Sequence, residues 1–255
     1  MKKNNFLLLL LCTTIFMLSS CSSDDDDITY PGQEEEEVEI PEIPEDPGDE
    51  EDGELNPNSQ TVNSENAVSI QFSGNELFID NPFTEISITN ENGHVTIKSG
   101  ITDIEVNYIL SGITTNGSVK IYGDYKFGLV LNGTGITNPN GAAINIQCDK
   151  KITVTVVNQT NNRLIDGKDY NFIEGEDMKG TFFSEGQLNF YGNGLLEVRG
   201  KNKHAICTDD YFRIYEGNIH VKEAASDAIH AKDYVKIEGG NIVTRSSGEG
   251  FDCDG

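Results

Sequence analysis

The sequence predicts an all-β fold, a right-handed parallel β-helix with rungs of about 23 residues, preceded by a disordered acidic tether. Three observations predict it. Apolar anchors recur at a fixed step: Ile206, Ile229 and Phe251 stand 23 and 22 residues apart, and steps of 23 separate Ile214 from Ile237, Gly217 from Gly240, Asn218 from Asn241 and Ile219 from Ile242. Within one unit Phe212, Ile214, Ile219 and Val221 alternate with Tyr211, Arg213, His220 and Lys222, the period of a half-buried strand. The composition, with 26 Gly, no Trp and many Val, Ile, Thr and Asn, suits short strands and tight turns. A unit this short cannot bury its apolar side alone, whereas parallel units stacked one rung every ~4.8 Å can. A leucine-rich repeat needs a recurrent Leu framework and a propeller blade about 40 residues; neither pattern is present.

Taken in chain order, residues 1–21 pair Lys2 and Lys3 with an apolar run that ends in small residues, the pattern of a secretory signal. Its end, Leu18-Ser19-Ser20-Cys21, resembles the lipobox of bacterial lipoproteins, which implies cleavage before Cys21 and acylation of its thiol. The following Ser22-Ser23-Asp24-Asp25-Asp26-Asp27 resembles an acidic export tag, which implies an outer-membrane lipoprotein exposed at the cell surface. Residues 22–60 hold 17 acids, no base and five prolines, and are expected to be extended and disordered. Most of the net charge of −25 therefore sits in the tether; residues 61–255 hold 26 acids and 16 bases. That balance argues against nucleic acid as a partner, and no later stretch is long and apolar enough to span a bilayer.

Residues 61–118 are expected to form an N-terminal β cap and first partial rungs, and residues 119–255 the regular β-helix. The 23-residue step extends upstream through Phe183 to Ile206, Leu196 to Ile219, Val198 to Val221, Ile121 to Ile144, Leu129 to Ile152 and Leu131 to Val154. Residues 158–179 break it, since Asn145 to Ser184 is 39 residues, so about 16 residues leave one rung as a loop. Long insertions of this kind line binding faces. The chain stops just after a strand, at Asp254-Gly255. An open end needs a cap, from missing residues or from another chain; the first is favoured. Cys148, Cys207 and Cys253 are an odd set for an exported protein, so at least one is unpaired within the chain.

On a β-helix, residues one period apart stack, so rows of outward side chains are the functional units. Arg199, Lys222 and Arg245 would form a cation row suited to an anionic chain with repeating charge. Tyr211 above Tyr234, beside Arg213 above Lys236, would offer aromatic and polar contacts to sugar rings. The turn acids Asp209, Asp210, Asp227, Asp233, Glu249, Asp252 and Asp254 would crowd unless a cation such as calcium, which takes 6–8 oxygen ligands, sat among them. The row Ser184, Cys207, His230 and Asp252 is read as surface, because Cys207 and Asp252 stand two rungs apart, too far for one metal.

Leu129-Val130-Leu131-Asn132-Gly133, Gly141-Ala142-Ala143-Ile144-Asn145-Ile146, Lys179-Gly180-Thr181-Phe182-Phe183-Ser184, His204-Ala205-Ile206-Cys207-Thr208-Asp209-Asp210 and Ser226-Asp227-Ala228-Ile229-His230-Ala231-Lys232-Asp233 resemble the bacterial carbohydrate-binding domain-containing proteins over about residues 60–255. The resemblance implies a parallel β-helix related in shape to polysaccharide lyases, bound calcium and affinity for acidic plant polysaccharide. The expected function is non-catalytic capture of pectin-like or cellulosic polysaccharide. The alternatives are a polysaccharide lyase, with Lys232 or Arg213 as base, and an adhesin or structural surface protein.

Overall fold

A computed structural model describes residues 66–255; the signal segment, the tether and Cys21 lie outside the described residues. Two antiparallel hairpins open the fold, β1 (Ala67–Ser73) with β2 (Glu76–Asp80) and β3 (Ile86–Glu91) with β4 (His94–Ser99). From there the new pairings are parallel. β5 (Val106–Thr114) lies on β1, β6 (Ser118–Tyr122) on β4, and the long β7 (Phe127–Thr137) on β5.

Each later turn carries three short strands. They are β8 (Ile144–Gln147), β9 (Ile152–Val156) and β10 (Asn161–Ile165); then β11 (Gly180–Ser184), β12 (Leu188–Tyr191) and β13 (Leu195–Gly200). The next turn is β14 (His204–Thr208), β15 (Phe212–Ile214) and β16 (Asn218–Ala224), followed by β17 (Ile229–Ala231), β18 (Val235–Ile237) and β19 (Asn241–Val243); β20 (Phe251–Cys253) begins one more. One column runs β3-β4-β6-β8-β11-β14-β17-β20, and two others meet on β7, whose first half pairs with β9 and second half with β10. The result is a parallel β-solenoid of about seven turns. Among the described residues no helix is long and apolar enough to cross a membrane.

The core is the inward column of each strand. Ile206 lies opposite Ile229 and Ile229 opposite Phe251, so the equal spacing does mean vertical neighbours. Phe182, Phe190 and Phe212 pack ring against ring, with centroids 5.9 and 5.1 Å apart. Burying each such side chain contributes about 1.5–3 kcal/mol, and on a solenoid those gains couple only neighbouring rungs.

The expected register needs correction upstream. Ile121 pairs with Ile146 and Leu129 with Val154, a step of 25, so the pairs Ile121–Ile144, Leu129–Ile152 and Leu131–Val154 are two residues out. A shift of two keeps every side chain on its own side of the strand, so apolar periodicity alone cannot detect it. Phe182, rather than Phe183, lies on Ile206, and Ser184 pairs with Thr208. The register break is confined to residues 166–179, because Asn161–Ile165 forms β10 and pairs with β7 and β13.

Candidate functional site

Residues 166–179 leave the solenoid between β10 and β11 and fold back over the outward side of β6 and β8. Three contacts hold the loop. Asp166 is fully buried; it accepts hydrogen bonds from the Lys201 N–H (2.6 Å) and the Tyr170 hydroxyl (2.7 Å), while burial pushes its carboxyl upward. At Gly167 a Cβ would sit 1.7 Å from the Pro139 carbonyl oxygen, so only glycine allows the loop this close. Glu176 accepts from the Lys120 ammonium and the Tyr122 hydroxyl. Burial works to raise the Glu176 carboxyl, but these two donors outweigh it and hold it below the ordinary range. The Tyr122 hydroxyl is pushed up by its burial and by the adjacent carboxylate.

Between loop and sheet lies a solvent-open cleft of about 250 Å³. Its walls mix polar and apolar groups: Asn145 from β8, Ser118 and Lys120 from β6, His94 and Thr96 from β4, and Asn138, Asn140 and Asn171 from connections, with Val95, Val119, Ala142, Ile173 and Met178 between them. His94 Nδ1 lies 2.9 Å from the Ser118 hydroxyl, and burial lowers its imidazole pKa. Asn138 spans its own turn, donating to the Ala142 carbonyl (2.7 Å). Asn145 accepts from Gln147 through Oδ1 (2.8 Å), yet its buried Nδ2 has no protein acceptor. A buried amide donor left open costs about 1–3 kcal/mol, which a bound oxygen atom would remove once the Asn145 side chain turned its enclosed amide into the cleft.

The rows expected from sequence fare unevenly as rows. A β-bulge between Val198 and Arg199 slides β16 by one residue, so Arg199 lies opposite Glu223, not Lys222. Arg199 faces the Glu223 carboxylate at 3.8 Å, and Lys222 pairs with Glu197 at 3.0 Å. Arg245 keeps the register with Lys222, since its N–H donates to the Val221 carbonyl. Tyr211 and Tyr234 do stack, with centroids 4.9 Å apart at 10°, as do Tyr191 and Tyr215 at 4.5 Å. The rung spacing that aligns these rings turns their faces on each other, leaving mainly edges for a ligand. Arg213 lies above Lys236; both hold Glu238, at 2.6 and 3.1 Å, and the Arg213 guanidinium covers the Tyr215 ring at 4.4 Å.

The turn acids are spread among different partners. Asp209 is bound by Lys179 (2.7 Å), and Asp210 accepts from Gln187 (2.6 Å). Asp227 caps the Glu249 N–H (2.9 Å) and Asp252 lies 2.9 Å from His230 Nδ1, whereas Asp254 stands 3.9 Å from His230 Nε2. The Asp233 N–H donates to the Asp210 carbonyl (3.2 Å), so these two acids occupy vertically adjacent turns. His204, which stands in none of the rows expected from sequence, joins Cys207 and His230 in a compact cluster. Its signal was positional: it stands two residues before Ile206, where Asp227 and Glu249 stand before Ile229 and Phe251.

Fold and cleft together define a class: a β-solenoid carrying a loop-covered groove on one outward sheet face. The family of carbohydrate-binding domain-containing proteins matches residues 87–255, and the chain belongs to that family. A carbohydrate-binding domain-containing protein of Acetivibrio thermocellus is 29% identical over 174 residues, covering 67% of this chain and 58% of that relative. The chain thus spans little more than half of that relative's length. A polysaccharide lyase-like protein from C. thermocellum, solved as a gadolinium derivative, shares the fold with a TM-score of 0.58 at 22% identity, covering 74% of this chain and 95% of that one.

Proposed function

We propose that this protein is a non-catalytic polysaccharide-binding protein whose ligand lies in the cleft under residues 166–179. The unsatisfied Asn145 amide among hydroxyl, amide and imidazole groups is the observation that carries the reading. Sugars present hydroxyl groups that both donate and accept, and such a wall answers them. The cleft is just below the ~300–1,000 Å³ that drug-sized ligands occupy, so it would grip one or two sugar units while the rest of the chain runs along the sheet face. The membership of the family supports the class of ligand. Pectin-like and cellulosic chains are the candidates within it. Calcium enters the proposal at the turn acids of adjacent rungs, such as Asp210 and Asp233, whose backbones are hydrogen-bonded. Acylation at Cys21 would tether the domain to the outer membrane, facing outward, and acyl labelling of the mature chain would report it.

The test is a glycan panel presented to the mature chain, with and without a calcium chelator. Binding to a plant polysaccharide is the expected result; binding to no glycan at all removes the proposal. The likeness in fold to a polysaccharide lyase-like protein keeps one alternative in play. A lyase would release unsaturated products from polygalacturonate, and their appearance would replace binding alone with elimination chemistry.

A further inference from the structure

Two columns of side chains flank the stacked anchors Ile206 and Ile229, both buried, and Phe251, which is exposed at the open end. Two residues before each anchor stand His204, Asp227 and Glu249; one residue after each stand Cys207, His230 and Asp252. Strand pairing places Cys207 opposite His230 and His230 opposite Asp252, while backbone hydrogen bonds carry the other column from Ala205 to Asp227 and from Ala228 to Glu249. Moving along the solenoid, the donors change from imidazole and thiol to carboxylate. His204 and Cys207 are buried and His230 is half-buried.

We propose that His204, Cys207 and His230 form a binding site for one divalent transition-metal ion of the zinc type. One ligand atom from each of the three lies within 4.8 Å of the others. A four-coordinate ion with metal–N of about 2.0–2.1 Å and metal–S of about 2.3 Å asks for ligand atoms about 3.3–3.6 Å apart, so closure needs a shift of about 1 Å. The His204 and His230 rings stack at 4.5 Å and 17°, so their in-plane lone pairs converge on one ion only once the half-buried His230 ring turns out of the stack. Each imidazole already has a carboxylate beside it: Asp252 is 2.9 Å from His230 Nδ1 and Asp227 is 3.0 Å from His204 Nδ1. This is the arrangement that orients metal-binding histidines, leaving the second ring nitrogen for the ion. The His204 contact is short but poorly aligned, so in the free protein its Nδ1 faces the Asp227 carboxylate without a hydrogen bond.

The two ionisation states pull in opposite directions. Burial, then His230 and Lys203, lowers His204 to about 4, so its ring is neutral and can ligate. Burial pushes the Cys207 thiol up to about 12; the ion itself would drive off that proton, as coordinating metals do. The donor set of two nitrogens and one sulfur suits zinc or cobalt and not calcium, which takes oxygen ligands.

The test uses the mature chain with the exposed Cys253 replaced by serine, stripped of metal and titrated with Co²⁺. One equivalent should bind, giving a thiolate-to-cobalt charge-transfer band and the intense visible bands of a four-coordinate ion. Zn²⁺ should displace it and Ca²⁺ should not. Cys207→Ser should abolish the charge-transfer band, and His230→Gln should weaken Zn²⁺ binding at least tenfold with the β-sheet circular dichroism unchanged. His230 is half-buried, so its variant folds even if the Cys207 change proves disruptive. The absence of stoichiometric Co²⁺ or Zn²⁺ binding, displacement by Ca²⁺, or binding indifferent to His230→Gln overturns the proposal.

Discussion

Asn145 shows how a single position separates stability from function. In the free protein its Nδ2 is buried without an acceptor, so removing the side chain relieves that penalty and offsets the lost Gln147 contact. Asn145→Ala should therefore change the free energy of unfolding by less than about 1 kcal/mol, with Gln147 still held by the Asp177 carbonyl at 2.9 Å. The same change should weaken glycan binding about tenfold, because it deletes hydrogen bonds made only with ligand. Denaturant titration and binding calorimetry on the same variant check the split. A loss of stability with unchanged affinity would assign Asn145 to the fold and move the ligand elsewhere.

At the scale of elements, the loop of residues 166–179 decides whether the cleft exists. Its latch is Glu176 against Lys120 and Tyr122, with the Lys120 and Glu176 side chains only 16% and 14% exposed. The folded carboxyl lies below its unfolded value of about 4.5. The latch therefore contributes fully above that value and is lost as pH falls through the lower, folded one. Glycan affinity should be flat from pH 8 to pH 6 and fall several-fold once the pH drops well below the ordinary carboxylate range. Glu176→Gln should show the weaker affinity already at neutral pH and should speed tryptic cleavage at the exposed Lys168. A variant that binds like the parent would show that the loop is not needed. This is also where the sequence was half-legible. The break in the repeat announced a loop near β10, since insertion disturbs a count. Neither the landing place of the loop nor the role of Asn145 could be read, because both depend on contacts between residues tens of positions apart with no shared period. The cation row loses its register at Arg199 for a related reason: one β-bulge after Val198 moves Arg199 opposite Glu223, and a bulge leaves no mark in a spacing of 23. The inward anchors were legible because every rung needs one.

For the whole molecule, charge argues about which polysaccharide the cleft would take. Residues 61–255 carry 26 acids against 16 bases, and the tether adds 17 acids with no base. A uronic-acid polymer approaching this surface meets repulsion that extends about 10 Å at 0.1 M salt. A neutral glucan meets none. If the cleft is the site, affinity for a neutral glucan chain should be unchanged between about 0.05 and 0.5 M sodium chloride, while affinity for calcium-free polygalacturonate should rise over that interval as screening removes the repulsion. Added calcium should strengthen polygalacturonate alone, by bridging acid to acid. The opposite slope, polygalacturonate binding that weakens as salt is added, would mean that cations hold the polymer. Arg199, Lys222 and Arg245 would then be the site despite their offset register, since in a molecule this acidic a local positive strip is what could reverse the sign.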